Sequence, residues 1–188
     1  RYGDLYGSHL TARLFCVFGF SGSTDARRGE KIVKARFSYP KHAPGVYEAM
    51  DALDTYLGTS GLERPLLLLV QLRASQLNGC AFCIDMHWKD LRAIDETEQR
   101  LYGLDAWRES PYYTDRERAA LAWVEAVTFV AQGHVSDTIY EEVRGHFTEK
   151  ELADLTLAVA TINAWNRLAI AARLVPGAYK AAESATAP

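Results

Sequence analysis

The sequence predicts an all-α protein, a compact bundle of six to seven helices. Three observations carry this. From Pro44 to Leu174, apolar residues recur at intervals of three and four, which is the helical period. Thr114-Asp115-Arg116-Glu117 and Thr148-Glu149-Lys150-Glu151 are capping boxes, in which a hydroxyl and a carboxylate three residues apart satisfy each other's backbone N–H groups. No stretch alternates apolar and polar residues as a half-buried strand does.

The elements follow in order. Val46, Met50, Leu53 and Leu57 form the stripe of a first helix, with Pro44-Gly45 before it and Gly58 after it. Pro65 fits the first turn of the next helix, where a missing N–H costs nothing. Leu66 to Leu77 is apolar nearly all round, as in a buried helix. A third helix starts at the cysteines, with Asn78 as its N-cap, and runs to about Ile94. Asp95-Glu96-Thr97-Glu98 reads as a D-x-x-E cap for a helix to about Trp107, and Pro111 breaks the chain. The box at Thr114 opens a long amphipathic helix through Ala120, Trp123, Val124, Val127, Val130 and Ala131, ending near Gly133. Ser136 caps a short helix through about Phe147. The box at Thr148 opens the last helix, in which Leu152, Leu155, Val159, Ile162, Ala169 and Leu174 keep the period until Pro176-Gly177.

The chain has 188 residues, 48% hydrophobic and 24% charged, which suits one globular domain. A net charge of −3 is too small to point to nucleic acid or a membrane surface as partner. No apolar run reads as long enough to span a bilayer. Residues 1–34 form an N-terminal extension outside the core domain. Their apolar run Leu14 to Phe20 is short for a signal core and has no small-x-small cleavage site after it. The domain occupies 35–178, and 179–188 is expected to be a frayed tail. Three cysteines are not a disulfide framework; a reducing, cytoplasmic compartment with one working pair fits better, leaving Cys16 unassigned.

That pair is Cys80 and Cys83, spaced C-x-x-C, with His87 four residues further on. On a helix these spacings share a face. At a helix start the free N–H groups and the macrodipole favour negative charge, which lowers a thiol's pKa. The second thiol can then resolve what the first forms, giving a dithiol–disulfide cycle. His87 can take a proton from a thiol at neutral pH and, as a cation, hold the thiolate. Two other readings compete: a bland one, in which both cysteines are small core hydrophobes, and a sharper one, in which Cys80, Cys83 and His87 ligate zinc, although three ligands on one helix crowd a tetrahedral ion and no second C-x-x-C exists. Asn163, Asn166 and Arg167 share a face of the last helix; a packing network is preferred over a pocket lining. Trp88, Trp107, Trp123 and Trp165 read as core or interface, and His9, His42, His134 and His146 as structural. Nothing in the pattern calls for a cofactor.

Leu72-Arg73-Ala74-Ser75-Gln76-Leu77-Asn78-Gly79-Cys80-Ala81-Phe82-Cys83-Ile84-Asp85-Met86-His87 resembles the core motif of the alkylhydroperoxidase D-like branch of the carboxymuconolactone decarboxylase superfamily. The segments Glu96 to Tyr102, Glu117 to Trp123 and Ile162 to Leu168 are also similar to it, so the likeness runs from about Arg36 to Gly177. It implies an all-helical fold assembled as a homo-oligomer, a trimer or hexamer. It implies a peroxidase acting on small hydroperoxides, with Cys83 as the peroxidatic thiol, Cys80 as the more exposed resolving thiol and His87 in the proton relay. A dithiol electron donor would then regenerate the pair. One position departs from the pattern: the relay glutamate stands twelve residues before the first cysteine, where this chain has Leu68. Gln71 one turn on cannot carry a proton, and Asp85 falls on the wrong face. Activation by the helix terminus and His87, with weaker turnover, is the expectation. Two other functions remain open: a decarboxylase of the superfamily's other kind, which does not call for a C-x-x-C pair, and a non-catalytic oligomeric redox-sensing or binding protein.

Overall fold

A computed structural model describes residues 33–181. Among them are nine α-helices and no strand: α1 (Tyr39–His42), α2 (Pro44–Gly58), α3 (Arg64–Asn78), α4 (Ala81–Arg92), α5 (Glu98–Gly103), α6 (Asp115–Thr128), α7 (Val130–Gly133), α8 (Asp137–Arg144) and α9 (Glu149–Ala172). A 3₁₀ turn, Leu104–Ala106, follows α5. The surplus over six or seven is the pair of one-turn helices α1 and α7. Cys16 lies outside the described residues, as does most of the extension.

The bundle is built around α3, which packs against α4, α6 and α9. Its all-round apolar character has a direct cause, because it feeds two cores at once. Leu66, Leu67, Val70 and Ala74 face Val124, Leu155, Val159 and Ile162. Leu68, Leu69 and Leu72 face Leu91, Leu101, Leu104, Trp107 and Leu121. Burying a leucine side chain is worth about 1.5–3 kcal/mol, so these leucines dominate the packing of the bundle. Charge pins the same helix: the nearly buried Arg73 donates from Nε to Glu125 Oε1 at 3.0 Å, and Trp107 Nε1 donates to the same oxygen at 2.8 Å. Burial alone would raise the Glu125 carboxyl, but the hydrogen bonds from Trp107, Arg108 and Arg73 outweigh it and hold it below the usual range.

Both capping boxes form as read, at Thr114/Glu117 and Thr148/Glu151, and Ser136 caps α8. Three local expectations are corrected. Asp95 is no cap: it sits at φ 64°, a left-handed turn residue, and Thr97 caps α5 through the N–H of Arg100. The long helix after Thr114 breaks at Phe129, whose φ −99°, ψ 26° leaves the helical region, so Val130 and Ala131 belong to α7. Asn78 is not the N-cap of the cysteine helix; it is the last residue of α3.

The last helix also departs from expectation. By length and composition α9 is apolar enough to cross a membrane. Here it packs against α2, α3 and α6, which bury 44% of its most apolar window. The chain beyond it turns back over α4, and Tyr179 is buried there, on the far side of the boundary at which fraying was expected. Lys89 Nζ donates to the carbonyls of Gly177 and Tyr179, both at 3.1 Å, and Asp85 Oδ2 accepts the Gly177 N–H at 3.0 Å.

Candidate active site

The cysteine pair occupies the joint between two helix ends. Gly79 takes φ 67°, the left-handed conformation that a side chain disfavours, and closes α3 by donating to Gln76. The next N–H, that of Cys80, donates to the carbonyl of Ser75 at 3.0 Å. Cys80 is then itself the N-cap of α4: its sulfur accepts the N–H of Cys83 at 3.4 Å and its carbonyl accepts that of Ile84 at 2.9 Å. The two cysteines are joined as a disulfide, with Cα atoms 5.4 Å apart, inside the ordinary span for such a bond.

Both sulfurs are buried within the chain, Cys80 at 1% and Cys83 at 2% exposure. The expectation that Cys80 is the more exposed thiol is therefore not met by burial. What separates the two is an open groove of about 680 Å³, lined by Cys80, Phe82, Ile170, Arg173, Leu174 and Val175 among others, and Cys83 is not part of its wall. Phe82, Ala169, Met86 and Leu174 pack around the sulfurs and keep the surroundings apolar.

His87 lies one turn beyond Cys83 on α4 and is buried, so Cys83 and His87 share a helix that Cys80 caps. Asp90 lies a turn further and accepts a hydrogen bond from Tyr179 Oη at 2.6 Å. Leu68 is buried in the second core, where Ile84 and Trp88 of α4 also pack, so the relay position of the family pattern is apolar here. Asp85 is held by Lys89 at 2.8 Å and by the Gly177 N–H. Among the described residues no group of three or more His, Cys, Asp and Glu is placed to hold a metal ion.

Behind the cysteine joint is a buried amide cluster. Asn78 Nδ2 shares its two N–H groups among Asn163 Oδ1 at 3.0 Å, Asn166 Oδ1 at 2.9 Å and the Ala74 carbonyl at 2.8 Å. Asn166 Nδ2 donates to Ser75 Oγ at 3.0 Å, and Asn163 Nδ2 to Thr128 Oγ1 at 3.0 Å. The expected packing network exists, and it grips the turn that carries Cys80. Sequence reasoning missed Ser75, Asp90 and Tyr179 as neighbours of the site; their only trace was a serine and an acid at helical spacing from the motif.

Fold and site together define a class: a helical bundle with a disulfide-forming pair at the mouth of one helix and a histidine one turn inside it. The carboxymuconolactone decarboxylase family matches residues 44–126. The uncharacterized protein YdfG of Bacillus subtilis is 43% identical over 136 residues, covering 72% of this chain and 92% of YdfG. The solved structure of ATU0492 from Agrobacterium tumefaciens, a protein of unknown function whose name relates it to the antioxidant defence protein AhpD, is 44% identical. It superposes with a TM-score of 0.75 over 77% of this chain and 99% of that one. An uncharacterized peroxidase-related protein from Ralstonia eutropha JMP134, described as an alkylhydroperoxidase AhpD core, shares the fold at 22% identity, with a TM-score of 0.65 over 73% and 74% of the two chains. The chain belongs to the carboxymuconolactone decarboxylase family, in its AhpD-like branch.

Proposed function

We propose that the protein is a thiol-dependent peroxidase that reduces hydroperoxides through a Cys80/Cys83 dithiol–disulfide cycle assisted by His87. The observation that supports this reading most is the disulfide bridging the N-cap and third residue of α4, with His87 one turn beyond it. In the cycle, His87 takes the proton of Cys83. The thiolate attacks the terminal O–O bond of a hydroperoxide and becomes a sulfenic acid; the leaving alkoxide takes up a proton and departs as an alcohol, or as water from hydrogen peroxide. Cys80 displaces hydroxide from that sulfur, which leaves as water, and the disulfide forms. A dithiol donor attacks Cys80, the sulfur on the groove wall, and through a mixed disulfide returns both cysteines to thiols while it becomes a disulfide itself. The reading places the protein in a reducing, cytoplasmic compartment as a homo-oligomer, trimer or hexamer.

One observation favours a second reading, a redox sensor that oxidises without turning over. Leu68 is buried where the family's relay carboxylate would stand. Steady-state consumption of cumene hydroperoxide with dithiothreitol as donor separates the two. Multiple turnovers that vanish in Cys83→Ser support the peroxidase. A single stoichiometric oxidation supports the sensor, and turnover surviving loss of both thiols removes both readings in favour of another chemistry of the family.

A further inference from the structure

We propose that Asn163 and Asn166 of α9 are positioning residues for the dithiol, holding the Cys80 turn, through Asn78 and Ser75, in the geometry that stabilises a thiolate there. The inference rests on the reading that the Cys80–Cys83 pair cycles.

α9 is otherwise built from alanines and branched apolar residues, and Asn166 is wholly buried in it with Asn163 at 9% exposure. A buried amide destabilises unless its donors and acceptors are met. Each amide nitrogen and oxygen of the two has at least one partner, and the partners are not scattered. The side chains of Asn163 and Asn166 both receive Asn78, two residues before Cys80, and Asn166 also holds the Ser75 hydroxyl. Ser75 is the residue whose carbonyl takes the Cys80 N–H. Two side chains flanking the Cys80 turn, those of Asn78 and Ser75, therefore run to one face of α9.

The outer side of the cluster is fixed as well. Arg167 Nη1 donates to the carbonyl and side-chain oxygens of Asn163, at 2.7 and 2.9 Å, and Thr128 of α6 accepts from the Asn163 amide. The turn is thus referred to α6 and α9, not to α3 alone. Opening the disulfide requires the sulfurs to part while the Cys83 N–H keeps an acceptor. A clamped turn leaves the Cys80 sulfur at the cap position, where that N–H and the helix dipole stabilise negative charge. A loosened turn lets the sulfur leave the cap, and the stabilisation goes with it.

The test is a thiolate titration of the reduced full chain by absorbance at 240 nm, compared across wild type, Asn166→Ala, Asn78→Ala, the double variant and Val159→Ala. Val159 is buried in the same helix but in the first core, so its loss reports plain destabilisation. The expected result, read in a Cys83→Ser background, is a rise of about one pH unit in the Cys80 thiol pKa for Asn166→Ala, a tenfold fall in its thiolate fraction, with no shift for Val159→Ala. The double variant should shift by less than the sum of the two single variants, because Asn78 is one of the two routes by which Asn166 reaches the turn. Should Asn166→Ala fail to fold, Asn163→Ala, at the edge of the cluster, is expected to show the same direction with a smaller shift. Unmoved titration in the folded asparagine variants, equal shifts in Val159→Ala, or additive effects of Asn78→Ala and Asn166→Ala would each overturn the proposal. The titration uses no hydroperoxide, so a shifted pKa in a protein without turnover would keep the positioning role and remove the peroxidase.

Discussion

Cys80 and Cys83 are joined twice: by their sulfurs, and by the Cys83 N–H that points at the Cys80 sulfur from 3.4 Å. The second link is an N-cap, and reduction of the first removes neither its donor nor its acceptor atom. A serine at position 80 supplies an acceptor of the same kind, whereas an alanine supplies none. Under reducing conditions Cys80→Ala is expected to be less stable than Cys80→Ser by about 1 kcal/mol, the usual worth of an N-cap side chain. Urea unfolding of the two variants in excess reductant measures it.

Leu68 sets up a trade between stability and chemistry. It is buried among Leu69, Leu72 and Leu91, with Ile84 and Trp88 of the cysteine helix packed nearby. Leu68→Glu is expected to lower the melting temperature, because a buried polar group without a ready partner costs roughly 1–3 kcal/mol. It is also expected to speed oxidation of the reduced pair by hydroperoxide. A stopped-flow rate equal to that of wild type would show that this position does not limit the reaction.

The turn-back after α9 is anchored by a buried bond, Tyr179 Oη to Asp90 Oδ1 at 2.6 Å. Tyr179→Phe removes the donor of this buried hydrogen bond, which is expected to cost about 1–3 kcal/mol. Because Leu174 on the same segment packs on the sulfurs, the loosened segment should also uncover them. Hydrogen exchange in α4 and the rate of disulfide reduction by dithiothreitol should both rise, and Lys89→Met should act in the same direction.

Acid sensitivity has a specific source in the second capping box. Hydrogen bonds from the backbone and hydroxyl of Thr148, then the Arg116 guanidinium, lower the Glu151 carboxyl from 4.5 to about 2. A carboxyl depressed on folding contributes stability above its unfolded value and loses it as the pH falls toward the folded one. Stability is therefore expected to decline between pH 4.5 and about 2, and Glu151→Gln should flatten that limb of the curve while lowering stability at neutral pH. Thermal melts of both proteins across this range are the check.

The parts of this structure that a linear reading reaches are those encoded within one helical turn. The boxes at Thr114 and Thr148 and the Ser136 cap depend on residues three apart, and all formed as read. Errors came where two local signals compete. Asp95-Glu96-Thr97-Glu98 offers two caps, and the left-handed turn at Asp95 leaves only Thr97 in position. Asn78-Gly79 looks like a helix start, but the same pair serves as a helix end, and the cap passes to Cys80. What stays hidden in sequence is long range: Asn78 meets Asn166 across 88 positions, and Tyr179 meets Asp90 across 89. Such pairs are set by how α9 and its tail close on α3 and α4.

The central claim is that Cys83 reacts first with a hydroperoxide and Cys80 resolves it. Mass spectrometry of the reduced protein after one equivalent of hydroperoxide, with dimedone to trap sulfenic acid, tests it directly. The account predicts a Cys80–Cys83 disulfide in wild type and a dimedone adduct on Cys83 in Cys80→Ser. An adduct on Cys80 in Cys83→Ser with none on Cys83 in Cys80→Ser would contradict it, as would a wild-type pair that stays reduced.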